Sequence, residues 1–215
     1  MYSLFAGYNG AYETFDGVNI NQNGGTLGVA GTLFKNNFFT SLAATVGSSV
    51  SQASTMYGHD YSTLLGAGAA LKTGYNFEFK DGKHIIQPSL MAAYTMVNTF
   101  DYTNAAGVDI TSDPLHAITL MPQLKYILNL KNGWQPYVAV GMVFNIMDKA
   151  HFYAQDIALP NMSMKPYVQY GFGVQKKIGE RCTGSAQAMV RNGGRNGIAL
   201  SFGFRWELGK GHEKL

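Results

Sequence analysis

The side chains here that could do chemistry are few and scattered. His59, His84, His116, His151 and His212 fall in separate segments, without the paired spacing that metal ligation or imidazole catalysis needs. Cys182 is the sole cysteine, which excludes an internal disulfide and a cysteine-based metal cluster. Gly66-Ala67-Gly68 and Gly171-Phe172-Gly173 look like fragments of phosphate loops. Neither is followed by the helix whose N-terminus would receive a phosphate, and inward small residues that leave interior space account for them better. Ser185 and Ser201 have neither an elbow nor a nearby base. These residues point to no catalytic group, no metal site and no cofactor, and so to a non-enzymatic chain.

What remains is a set of charges: Lys72, Glu78, Lys125, Arg191, Arg205 and Glu207. Each alternates with large apolar neighbours, so each shares a face with glycine, alanine, serine and glutamine. Mutual ion pairing that keeps a polar interior ordered is the simpler reading. Contact with a threaded polypeptide or an occluding helix is the functional one.

The elements that must position these residues are strands. At the C-terminus Ile198, Leu200, Phe202, Phe204, Trp206 and Leu208 occupy every second position, with Ala199, Ser201, Gly203, Arg205 and Glu207 between them. Such a strand has one wholly apolar face and one small or charged face. The pattern recurs through nearly the whole chain. If the apolar faces pointed outward in water they would be uncovered, and a core of Gly, Gln, Lys and Arg could not pack. The consistent arrangement is an antiparallel transmembrane barrel, apolar outside and polar inside.

Composition agrees. Only 13% of residues are charged, well below the roughly 25% of soluble domains. The mean hydropathy is -0.06, and no apolar run reaches the roughly 18 residues of a membrane helix. A soluble ligand-binding barrel of the lipocalin kind is disfavoured by the same face chemistry. The net charge of +3 is too small to argue for nucleic acid. One domain is expected, residues 1–209, with a short polar tail at 210–215.

About ten strands are expected, near 2–14, 24–35, 37–50, 61–79, 84–103, 114–131, 134–152, 163–178, 181–192 and 196–208. Short turns at 35–37, 80–83, 131–133 and 177–180 alternate with longer links around 15–23, 51–60, 104–113 and 153–162; the short 192–196 connection breaks that rhythm. Outer-membrane barrels have short periplasmic turns and longer extracellular loops, which puts Met1 and the C-terminus on the periplasmic side. One aromatic girdle is expected from Phe34, Phe38, Phe39, Phe77, Phe79, Tyr126, Trp134, Tyr137 and Trp206. The other would come from Phe100, Tyr102, Phe144, Phe152 and Tyr153. Pro88 and Pro122 sit inside strands and call for bulges or distortion, because proline donates nothing to a ladder.

From Gly74 onward the chain resembles the translocator barrel of autotransporters, the type V secretion family. The resemblance rests on Lys165-Pro166-Tyr167-Val168-Gln169-Tyr170-Gly171-Phe172-Gly173-Val174, on residues 187–197 and on the final strand. It also rests on an outer-membrane assembly signal formed by Ser201, Gly203, Trp206 and Leu208. Leu208 stands where an aromatic is usual, and residues 209–215 follow where the family normally stops. The resemblance implies a twelve-stranded barrel preceded by a pore helix and a secreted passenger. With about ten strands and no signal peptide at Met1-Tyr2-Ser3-Leu4-Phe5, the chain is read as an N-terminally truncated barrel cut from a longer protein, with a complete ten-stranded relative as the alternative.

The resemblance implies a monomeric outer-membrane anchor that helps move an attached passenger to the cell surface. Its partners would be outer-membrane lipid, the barrel-assembly machinery and the passenger. The alternative is a stand-alone porin-like or surface-binding barrel, and the coding sequence upstream of Met1 discriminates the two.

Overall fold

The computed structural model describes residues 1–15, 18–130, 132–147, 151–155, 157–159 and 165–208. Its ten long strands are β1 (Tyr2–Phe15), β2 (Val18–Lys35), β3 (Phe38–Thr55), β4 (Gly58–Tyr75), β5 (His84–Thr99), β6 (Leu115–Leu128), β7 (Trp134–Met147), β8 (Tyr167–Ile178), β9 (Cys182–Gly193) and β10 (Asn196–Leu208). Each pairs antiparallel with its neighbour in sequence. β10 returns to pair with β1 from Tyr2↔Leu208 to Thr14↔Asn196, closing the cylinder. Closure removes the unpaired edges that an open sheet would present. Ten strands suffice, and the wall has no gap for the two more that the resemblance implies.

The apolar faces point outward, as the alternation requires. Phe172, Leu27, Phe204 and Trp206 expose 66%, 62%, 61% and 59% of their surface, while Met189, Ala139, Tyr137 and Ala199 on the opposite parity are buried. Water would penalise this arrangement at about 25 cal/mol per Å² of apolar surface, whereas hydrocarbon removes the penalty. The band has readable edges. His84 meets the Tyr126 hydroxyl at 2.6 Å near one end, and His116 meets the Tyr94 hydroxyl at 2.7 Å near the other. On β5 and β6 these pairs are separated by about the 9–11 residues with which a tilted strand crosses a bilayer. At the first edge Lys176 also lies 4.5 Å over the Trp134 ring, its charge held at the interface.

Several expectations need correction. The links around 15–23 and 51–60 are not loops: β1 and β2 are separated only by residues 16–17, β3 and β4 only by Met56 and Tyr57. The strands continue past the bilayer, where the outward residues turn polar, as at Asn19, Asn21 and Asn23. Phe39 and Tyr137 are buried inside the barrel and belong to no girdle. Phe34 pairs with Phe39 on the inward parity and projects at the rim. At the far end Tyr102, Phe152 and Tyr153 lie in a separate four-stranded sheet (Tyr102–Thr103, Asp109–Ser112, Phe152–Ala154, Ile157–Ala158) built from the two long links. The outward aromatics of that edge are Tyr12, Tyr61, Tyr94 and Phe100.

Pro88 and Pro122 do distort the wall. The β4–β5 ladder stops at Gly74↔Ser89 and resumes at Phe77↔Ile86 on the short strand Phe77–Phe79, and the β6–β7 ladder skips between Gly141↔Gln123 and Phe144↔Leu120. Both gaps fall where proline lacks its N–H.

Candidate functional site: the barrel lumen

The lumen is built by the inward residues of all ten strands, and its chemistry changes around the wall. On β10 and β1 to β4 many of these are small, Gly7, Gly24, Thr26, Thr45, Gly47, Ser49, Gly66 and Ser201 among them. They border a cavity of about 360 Å³ toward the long-link end. A second cavity of about 300 Å³ lies toward the short-turn end. Asn9, Thr26 and Ser201 line both, so the space runs on along the seam where β10 meets β1. On β6, β7 and β9 the inward residues are larger, and Tyr137, Ala139 and Met189 pack together with Ile127.

Inward glycines do more than leave room. Phe5 covers Gly28, Phe39 covers Gly74 and Tyr137 covers Gly173, each ring lying where a Cβ would stand. The bare backbone supplies a flat seat for the ring, an inward version of aromatic rescue of glycine. Gly66, by contrast, meets nothing closer than 3.6 Å and borders open space. The sequence reading of inward glycines as spacers is right for Gly66 and wrong for Gly173.

The charges separate into two levels. Toward the long-link end Glu13 is bracketed by Arg191 and by Arg195, whose Nε lies 3.0 Å from the Glu13 carboxylate. Glu13 is nearly buried, and Arg191 also stacks 5.8 Å over the Tyr167 ring. A carboxylate removed from water needs such compensation, and here it ties β1 to β9 and to the β9–β10 turn. Sequence reasoning selected Arg191 but missed both partners. Glu13 continues the inward parity of Ser3, Gly7 and Asn9, a signal that could have found it; Arg195 lies in a turn, where alternation gives no face.

Toward the short-turn end Lys125 sits 4.5 Å over the Tyr137 ring, and the Tyr137 hydroxyl donates to Gln187 at 3.0 Å. Lys72 also points inward, on β4 opposite Ser41 of β3. Arg205 reaches Glu207 at 3.4 Å. Glu78 does not join them: it shares the inward parity of Ile85 but stands exposed at the rim beside the Gly82 turn. Lys72, Lys125, Arg205 and Glu207 are thus gathered in one half of the lumen, Arg191 in the other.

Of the assembly-signal residues, Ser201 and Gly203 face inward and Trp206 and Leu208 outward. Ser185 donates to the Gly203 carbonyl at 3.3 Å. The strand is paired on both sides, with β1 and β9. The tail at 210–215 lies outside the described residues.

Beyond the bilayer, Ala105 donates its N–H to Asp60 at 2.7 Å, fastening the first long link to β4. Tyr153 donates to Asp113 at 3.1 Å, and that bond, with the carboxylate's charge, holds the phenol above its ordinary pKa.

No family model matches the sequence, and no curated protein matches it. Solved structures share the fold. The transport unit of the autotransporter AIDA-I from Escherichia coli matches with a TM-score of 0.65 at 12% identity, over 96% of this chain and 90% of that one. The beta domain of the Bordetella autotransporter BrkA gives 0.64 at 13%, over 96% and 99%. The translocator domain of NalP from Neisseria meningitidis gives 0.58 at 13%, over 96% and 88%. An outer membrane channel from Pseudomonas putida F1 matches at 0.53 and 10%, over 95% and 94%. The fold is that of outer-membrane β-barrels, with autotransporter translocator domains among the structures that share it.

Proposed function

We propose that this outer-membrane β-barrel anchors a passenger segment and helps to export it to the cell surface. The observation that carries the reading is the run of small polar residues along the β10–β1 seam, which joins the two lumen cavities. An extended polypeptide needs a narrow, hydrogen-bonding path, and Asn9, Thr26 and Ser201 offer one between Phe5 and Arg205 at one end and Arg191 and Arg195 at the other. Ten strands lie between the eight that side chains fill and the sixteen that leave an aqueous channel. The fold shared with autotransporter translocator domains supports the same role. On this proposal β10 is captured by the assembly machinery through Trp206 and Leu208 before it pairs with β1, since afterwards it has no free edge.

The same path also suits a solute channel, and the fold shared with the Pseudomonas channel favours that second reading. One experiment separates them. The full chain is expressed with a signal peptide and a small reporter ahead of Met1, and protease is added to intact cells. Export predicts a folded, heat-modifiable barrel and a reporter cut from outside. A folded barrel whose reporter stays protected in the periplasm contradicts export and leaves the channel.

A further inference from the structure

We propose that the lumen cavity at the short-turn end is a binding site for an oxyanion or carboxylate, held between Lys125 and Arg205. The cavity is about 300 Å³, and among the described residues no aspartate or glutamate lines it. Its polar lining can donate: besides the two cations it presents the hydroxyl of Ser201 and the amides of Asn9 and Gln187, while the Ser185 hydroxyl is engaged with the Gly203 carbonyl. The Gln187 Oε1 is already taken by Tyr137, which leaves the amide N–H groups to serve a ligand.

The charge balance points the same way. Lys125 and Arg205 line one cavity, and Lys125 forms no ion pair among the described residues. Glu207 answers Arg205 alone, at 3.4 Å. Cations held close together in a partly desolvated space repel one another unless an anion joins them. At the other level of the lumen Glu13 performs that task for Arg191 and Arg195. Among the described residues none does the same for Lys125, and a ligand would supply that counter-charge. The volume suits a phosphate-sized ion or the carboxylate of an acidic side chain. The site depends on the barrel alone and not on passenger export, so either reading can fail without the other.

The test is lysine acetylation of the refolded full chain in lipid vesicles, read by mass spectrometry at constant ionic strength. Chloride is compared with inorganic phosphate and with a short glutamate-rich peptide. The proposal predicts a several-fold slower reaction at Lys125 in phosphate, in the peptide or in both, with the exposed turn residues Lys80 and Lys83 unchanged. Protection by phosphate identifies a small-oxyanion site; protection by the peptide alone identifies a site for side-chain carboxylates. In Arg205→Gln, shown to be folded by its heat-modifiable migration, the protection falls. If that variant does not fold, the native comparison decides. Equal rates at Lys125 in all three solutions, or equal protection of Lys80 and Lys83, overturn the proposal.

Discussion

Along their middle stretch strands β10 and β1 to β4 turn mostly glycine, serine and threonine into the lumen, with Phe5, Phe39 and Lys72 nearer the short turns, whereas β6, β7 and β9 turn Met121, Tyr137, Ala139, Val143 and Met189 inward. Where lipid covers them, the outward faces of both regions are apolar, as at Leu27 and Val46 on one side and Val138 and Val140 on the other. The inward faces answer to different demands. One side packs like a small soluble core, with Tyr137, Ala139, Met189 and Ile127 in contact. The other keeps a path open and relies on backbone pairing and on the Glu13 cluster for its shape. A barrel of this size is neither filled nor open throughout, and it divides the two conditions around its circumference.

The sharpest way to break the comparison is to remove a large side chain from the packed side. Met189→Ala is expected to lower stability by about 2–5 kcal/mol, the cost of a cavity in a packed interior. Thr26→Ala on the open side should cost under about 1 kcal/mol, since its hydroxyl makes only a long 3.5 Å contact with the Gly7 carbonyl. Reversible urea unfolding in lipid vesicles measures both, and equal losses would erase the distinction.

A second pair contrasts the lipid face with the open lumen. Phe202→Arg should cost about 2–4 kcal/mol if the site is near the bilayer midplane, and Phe204→Arg less because it lies nearer the interface. Ser201→Arg, which enters the cavity, should be milder than Phe202→Arg in the same unfolding assay. Similar damage from both would count against the outward and inward assignment.

Glycines sharpen the contrast further. A Cβ at Gly171 would run into the Ala188 carbonyl of the neighbouring strand, so Gly171→Ala is expected to cost about 1–3 kcal/mol. Gly66→Ala, with its nearest neighbour 3.6 Å away, should change the unfolding midpoint little.

The smallest effect belongs outside the membrane. Tyr153→Phe removes an exposed hydrogen bond and should change the unfolding midpoint very little. The native phenol has its pKa raised by Asp113, so the bond's contribution is complete below the ordinary tyrosine pKa and is lost as pH rises through the raised value. Ultraviolet titration of the variant should show one late-ionising phenol fewer than the native barrel.

Much of this was legible in the sequence because lipid enforces a strict rule on one face. The β10 alternation from Ile198 to Leu208 gives the strand, its orientation and the inward position of Arg205 directly. Legibility ended where the bilayer ends. Along Asn19, Asn21 and Asn23 the outward face becomes polar while Val18 and Ile20 turn inward, so the period persists with its chemistry reversed and reads as a loop. Inside the lumen no such rule holds. Phe39 and Tyr137 look like girdle aromatics by position, yet they point inward onto glycines of neighbouring strands that only register brings together. The pairing of Glu13 with Arg191 likewise depends on closure, which joins residues from opposite ends of the chain.

The central claim, a lumen open along one side and packed along the other within an apolar outer wall, is tested most directly by cysteine accessibility. In a Cys182→Ser background, single cysteines replace Thr26 and Ser49, Ala139 and Val143, and Val46 and Phe172. The folded barrel in vesicles is then exposed to a small charged thiol reagent. The account predicts fast reaction at Thr26 and Ser49, slow reaction at Ala139 and Val143, and none at Val46 and Phe172. Reaction at Val46 and Phe172 with silence at Thr26 and Ser49 would contradict it.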